Sequence, residues 1–197
     1  MTKVTILSGS SRPGNNTLRV SRAIHRICLE HGATAEIIDF KEYDIPFPNG
    51  GHVDPNNLTP FQHKLISHWR TSNLVFVVSP EYNWFPSAEI INMIHQLGTH
   101  TFKDLFEHKV FATTGVSTGR GGRMPAVQLS YVLDKIINVF ETDSITCPKK
   151  FESQFSTRTL DENGNSLGNA EYDLGITKYV DYSLQLAKRW SAEDVGS

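Results

Sequence analysis

Three short segments of this chain carry the residue types that do chemistry, and each follows a run that reads as a buried strand. The first is Gly9-Ser10-Ser11-Arg12-Pro13-Gly14-Asn15-Asn16-Thr17. Gly9 and Gly14 permit close backbone approach and positive φ. Ser10, Ser11, Asn15, Asn16 and Thr17 supply side-chain donors and helix caps. A helix starting here adds free N–H groups and a partial positive charge. Arg12 adds a full charge on a forked set of donors. This is the composition of a cradle for a phosphate monoester. It is neither a P-loop nor a Gly-x-Gly-x-x-Gly turn. The plain alternative is a well-capped polar turn from strand to helix.

The second segment is Pro80-Glu81-Tyr82-Asn83-Trp84-Phe85-Pro86, directly after the apolar run Leu74–Val78. Its two prolines stiffen it, so it can present backbone N–H and C=O groups to the edge of a planar ring. Tyr82 and Trp84 offer flat surfaces for stacking. The third segment is Gly115-Val116-Ser117-Thr118-Gly119-Arg120-Gly121-Gly122. Its glycines leave a bare backbone that can lie against such a ring and point N–H groups at its N1/O2 edge. In a parallel α/β sheet all three segments open at the carboxyl edge, where ligands bind. Together they read as a flavin site.

The elements that must position these segments alternate along the chain. Strands are expected over Lys3–Ser8, Ala35–Phe40, Leu74–Ser79, Lys109–Thr114 and Thr142–Cys147. Helices are expected over Thr17–His31, from Thr59-Pro60 onward, Ser87–Leu97 and Pro125–Phe140. A Pro/Gly/Asn-rich loop spans Tyr43 to Asn57. An irregular stretch covers 148–170, and a helix over 171–190 closes the pattern. The Ser87–Leu97 helix is apolar over more than one stripe, which predicts partial burial by a partner subunit. Five strands with intervening helices predict an α/β fold: a doubly wound, five-stranded parallel sheet in the order 2-1-3-4-5, with helices on both faces.

The chain has 197 residues, 39% hydrophobic and 20% charged, with a net charge of −2. That is an ordinary globular composition with enough chain for one sizeable core. It argues against a nucleic-acid or anionic-membrane surface. No apolar run approaches membrane-spanning length. The start Met1-Thr2-Lys3-Val4-Thr5 runs into a strand pattern without a signal-peptide leader, so a cytoplasmic protein is expected. The two cysteines, Cys28 and Cys147, are expected as reduced thiols.

Read in order, GSSRPGNNT, SPEYN followed by Asn92, and GVSTGRGGRMPAVQL resemble the NADPH-dependent FMN reductase family, which includes quinone, chromate and azo-dye reductases of flavodoxin-like fold. The resemblance covers roughly residues 1–147. It implies a single FMN-binding domain over 1–197, non-covalent FMN, and hydride taken from NADPH or NADH and passed to a quinone-like or other small acceptor. It also implies a homodimer or homotetramer. By position, Ser10, Arg12, Asn15, Asn16 and Thr17 would hold the phosphate. Pro80, Glu81, Tyr82 and Asn83 would line the ring, with Trp84 beside them, and Ser117, Thr118, Gly119 and Gly121 would close its other edge. No side chain need act as an acid or base, because the flavin carries the chemistry. The chain departs from the family pattern at Phe85, Pro86, Ser87, Ala88 and Ile91, and the bulk of Trp84 and Phe85 is expected to narrow the substrate face.

Other chemistries fit less well. The eight histidines lack the i, i+4 pairing of a His-Glu-x-x-His site, so no metal is expected. Gly115-Val116-Ser117-Thr118-Gly119 matches a nucleophile elbow literally, but the last histidine, His108, precedes Ser117, against the order a hydrolase needs. A flavodoxin-like electron carrier or redox-sensing FMN protein is the alternative, although flavodoxins are typically strongly acidic.

Overall fold

A computed structural model of the chain describes residues 1–192. The elements run β1 (Lys3–Ser8), α1 (Asn16–Glu30), β2 (Thr34–Asp39), α2 (Pro60–Thr71), β3 (Leu74–Pro80), α3 (Ala88–Leu97), β4 (Val110–Val116), α4 (Arg123–Phe140), β5 (Ile145–Thr146), β6 (Phe151–Ser153), α5 (Ser156–Thr159) and α6 (Ala170–Ala192). All strand pairs are parallel, and the order is β2-β1-β3-β4-β5, with β6 also on β4. This is the expected flavodoxin-like order, with one strand more than expected.

The extra strand corrects the reading of the sheet's far edge. The anticipated strand Thr142–Cys147 pairs only through Ile145 and Thr146, opposite Val110 and Phe111. Pro148 lacks an N–H and cannot continue the ladder. The chain then returns, and Phe151–Ser153 pairs with Thr114–Val116. Two short strands therefore occupy one position in series. The stretch 148–170 is correspondingly more ordered than its composition suggested, holding β6, α5 and an antiparallel bridge between Leu160 and Ser166.

Alternation along the central strands divides the core. Leu74, Phe76 and Val78 pack with residues of α1 and α6, while Val75 and Val77 pack with residues of α2, α3 and α4. Every residue of β3 and of β4 is buried, as strands covered on both faces must be. Local signals set the helix ends. Thr59 and Gln62 form a reciprocal capping box ahead of α2, with Pro60 in the first turn. Gly32, at φ +73°, lets the chain leave α1. Cys28 and Cys147 are free and buried, and burial pushes the Cys28 thiol up to about 12.

Lys109, just before β4, is only 4% exposed. Its Nζ donates to the carbonyls of Arg70 (3.0 Å) and Ser72 (2.9 Å), tying β4 to the end of α2. Burial is the main cause that brings its ammonium down from 10.5 to about 8. The unfolded chain keeps this proton to higher pH than the folded one, so the lysine's contribution to stability rises between about pH 8 and 10.5. Denaturation of the wild type beside Lys109→Met should show the difference moving in favour of the wild type across that window. A pH-independent difference would contradict a buried ammonium.

Candidate active site at the carboxyl edge

The first loop is organised from within by Asn15. Its Oδ1 accepts the Leu18 N–H (2.8 Å), while its Nδ2 donates to the carbonyls of Arg12 (2.7 Å) and Ser10 (3.3 Å). Asn15 therefore shapes the loop instead of offering a free donor. Asn16 and Thr17 open α1, where first-turn N–H groups have no helical acceptor. The Arg12 guanidinium stacks 4.3 Å above the Tyr82 ring, so one face of Tyr82 is already covered. The hydroxyls of Ser10 and Tyr82 lie 3.3 Å apart.

The second loop is a two-residue hairpin. Tyr82 and Phe85 exchange N–H to carbonyl bonds in both directions (2.9 and 3.0 Å). Asn83 and Trp84 between them sit at φ +50° and +71°. Positive φ at both central residues is the mark of a type I′ turn, and it is unusual for tryptophan. Behind the hairpin, buried Ser87 joins three elements. Its N–H donates to Ser79 Oγ (3.1 Å), its Oγ donates to the Gly9 carbonyl (2.6 Å), and that Oγ caps α3 through the Ile90 N–H (3.3 Å).

The third loop folds back on itself, and a Cβ on Gly115 would overlap the Gly122 carbonyl. Glu81 enters that fold. Its Oε2 accepts the Gly122 N–H at 2.5 Å, and a Cβ on Gly121 would collide with the same carboxylate. The loop is also held from the far edge. The Ser117 N–H donates to the Ser153 carbonyl (2.9 Å), and the Ser117 carbonyl accepts from Ser156 N–H (3.2 Å) and Oγ (3.1 Å).

The three loops meet around one cleft of about 330 Å³, within the size range of small-molecule sites. Ser10, Arg12, Asn15, Asn16 and Thr17 line one part, with Pro80, Glu81, Tyr82, Ser117 and Thr118 around the rest. Asn83, Trp84, Gly119 and Gly121 are not in its lining. Trp84 is 70% exposed and Phe85 63% exposed, both on the outside of the hairpin.

The sequence profile of the NADPH-dependent FMN reductase family matches residues 2–147. The chain belongs to this family. Its structure is similar to FerB, a flavoenzyme NAD(P)H:(acceptor) oxidoreductase from Paracoccus denitrificans, at TM-score 0.75 and 16% identity, covering 96% of this chain and 98% of that one. It is also similar to an oxidoreductase from Corynebacterium diphtheriae, at TM-score 0.65 and 14% identity, covering 96% and 98%. A third neighbour, the apo NADH:FMN oxidoreductase EMOB, has TM-score 0.60 and 15% identity, covering 94% and 90%. At such identities the likeness shows the fold. Among curated proteins, none matches in sequence.

An FMN reductase uses FMN, with NAD(P)H as electron donor, and the cleft residues suit that cofactor. Arg12 has no carboxylate partner among the described residues, so its charge is available to a phosphate beside the start of α1. A Cβ on Gly14 or Gly119 would meet nothing within 4 Å, so open space borders the first and third loops.

Some organising roles are not assigned from the sequence, where Asn92 enters only through the family resemblance. On α3, Asn92 donates to Tyr43 Oη (2.7 Å) and the Pro46 carbonyl (3.1 Å), and Gln96 bonds to Val53 N–H (3.3 Å) and the Gly51 carbonyl (3.1 Å). These two amides, four apart on an apolar helix, pin the 43–57 loop, and their spacing was the available signal. Ser153 and Ser156 carried none. Titration of apoprotein with FMN should find affinity lower by about 1–3 kcal/mol in Arg12→Ala, the range for a charged hydrogen bond. Glu81→Ala should lose a comparable amount by freeing the third loop, and Glu81→Gln less. Unchanged affinity in Glu81→Ala would show that the carboxylate does not position the loop.

Proposed function

We propose that this FMN-dependent NAD(P)H oxidoreductase reduces quinone-like acceptors, working as a single FMN-binding domain over 1–197 in the cytoplasm. The observation that carries the reading is the single cleft in which a phosphate cradle, a rigid second loop and a bare third loop converge. Ser10, Arg12, Asn16 and Thr17 bind the phosphate, with Asn15 fixing the loop around it. Pro80, Glu81 and Tyr82 set one edge of the ring; at the other, Thr118 offers its backbone groups, while Ser117 and Gly119, whose N–H and C=O groups are already bonded within the protein, hold it in place. Donors at the N1/O2 edge favour the charge that reduction places there. Bound FMN supplies hydride acceptance and donation at N5. The chain itself binds, orients and excludes water, so no side chain need move a proton. Asn83, Trp84 and Gly121 act from outside the cleft, the first two by forming the hairpin and Gly121 by admitting the Glu81 carboxylate.

This reading predicts anaerobic bleaching of the bound FMN by NADPH or NADH, and rapid return of the oxidised spectrum on adding a benzoquinone. Fast exchange with one-electron partners, with no bleaching by either nicotinamide, would favour the electron-carrier alternative.

The partner for the exposed face is a second copy of this chain. Phe85, Pro86, Ile91, Val127, Tyr131 and Val132 line an almost wholly apolar groove of about 510 Å³ with Gln128. Trp84 (70% exposed) stands beside it on the rigid hairpin, and Tyr131 is 76% exposed. A protrusion and a recess of the same chemistry on one face are what a two-fold contact requires. Ile91 accounts for the extra apolar stripe of α3, since it lines this groove. Light scattering should give a dimer or tetramer for the wild type and a smaller species for Tyr131→Lys. A monomeric wild type at micromolar concentration would overturn this assignment.

A further inference from the structure

A second recess, of about 510 Å³, lies in the C-terminal segment and shares no lining residue with the cofactor cleft. It also falls beyond residue 147, where the family match ends. Its walls include the rings of Phe151 and Tyr172, whose centroids are 5.4 Å apart. Phe155 also lines it, at φ +48°, a conformation that bulky residues rarely adopt. The surrounding structure holds it there. The Phe155 N–H donates to the Gly119 carbonyl (3.1 Å), and its carbonyl accepts the Arg158 N–H (2.7 Å). Strain that persists in this way clusters at ligand-binding positions.

The polar groups around these rings are suited to a nucleotide. The Arg158 guanidinium lies 5.4 Å from the Phe155 ring centre and has no carboxylate partner among the described residues. Glu152 is engaged by Arg123 at 2.8 Å, so it opposes an incoming anion less. Asn169 Oδ1 accepts the Tyr172 N–H (3.0 Å), which leaves its amide N–H groups to donate. Glu171 is an exposed acceptor at the rim. An aromatic face, a cation, an amide donor and a carboxylate acceptor match a purine base, a phosphate and ribose hydroxyls. The recess also adjoins the cofactor cleft through the backbone, because Ser153 and Ser156, flanking Gln154 and Phe155, both bond to Ser117.

We propose that this recess takes the adenosine end of the nicotinamide dinucleotide donor, with Phe155 stacking on the base and Arg158 meeting a phosphate. The proposal rests on the reductase reading and adds the part of the donor that does not react. Its test uses the FMN-loaded protein and Arg158→Gln. Calorimetric titration with adenosine 2′,5′-bisphosphate reads the recess without turnover. KM values for NADPH, NADH and reduced nicotinamide mononucleotide then read it during turnover. Loss of a charged hydrogen bond should weaken bisphosphate binding and raise the NADPH KM by about ten- to a hundredfold. The mononucleotide, which lacks adenosine, should be unaffected. A rise confined to NADPH puts Arg158 on the 2′-phosphate, and an equal rise with NADH puts it on the bridging diphosphate; both support the assignment. Unchanged bisphosphate binding and NADPH KM would overturn it. An equal KM rise with the mononucleotide would overturn it too, because the effect would then run through the Ser117 loop. If neither dinucleotide bleaches the FMN, the reductase reading falls, and the bisphosphate titration still decides the recess.

Discussion

The carboxylate of Glu81 fixes the spacing between two of the three loops that make the site. It bonds to the N–H of Gly122 at 2.5 Å, the residue that opens α4. A carboxylate at a helix start is favourable in itself. Here it also occupies the third loop's own anion-binding end, which leaves the start of α1, beside Arg12, as the open helix start in the cleft. The glycines of the loop follow from this contact and from the loop's closure on itself. Gly121 must be bare to admit the carboxylate, and Gly115 and Gly122 must be bare to let the loop close behind it. Glu81 thereby makes Gly121 necessary, and the close approach of Gly115 and Gly122 to each other makes those two necessary.

The sheet order and the meeting of three loops were legible because both follow from short-range signals. Leu74–Val78 is apolar at every position, and burial on both faces follows directly. Thr59-Pro60 and Gly32 mark helix ends by local chemistry. The fifth position of the sheet was misread because Thr142–Cys147 has strand-like content, yet pairing depends on what β4 offers and on where Pro148 interrupts. Nothing local to Phe151–Ser153 says that it will complete the same edge. The sequence puts Trp84 beside the ring-lining residues because it gives proximity along the chain but not direction. The structure leaves the Trp84 side chain 70% exposed and out of the cleft's lining, and its positive-φ turn carries neither glycine nor the usual Asn-Gly pair. Asn15 has the chemistry of a free donor, yet two bonds inside the loop and one to the start of α1 already use its amide.

The far edge of the sheet does more than close the fold. The 151–159 segment bonds to Ser117 and Gly119 from outside, so the third loop is clamped between Glu81 on one side and Ser153, Phe155 and Ser156 on the other. α1 braces the same region. Arg19, Arg22 and Arg26 reach Leu160, Glu162 and Asn165, anchoring the 160–165 turn to the helix whose start lines the cleft. The C-terminal segment thus links both ends of the cleft, and a Gly-rich loop gains rigidity that its own sequence cannot supply.

The hairpin at Asn83 and Trp84 combines two features that each work against the isolated chain. Left-handed backbone at a tryptophan is strained, and an exposed indole beside an apolar groove leaves a large hydrophobic patch in water. Inside the chain, the strain is held by the paired Tyr82 and Phe85 bonds and by Pro86 leading into the Ser87 hub. The exposure has no such compensation within the described residues. The proposed contact with a second copy would remove the exposed apolar surface and hold the hairpin in place. The same hairpin carries Tyr82, whose hydroxyl and ring face already engage Ser10 and Arg12. On the proposed reading, association at this face would act directly on the loop that carries Tyr82 into the cleft.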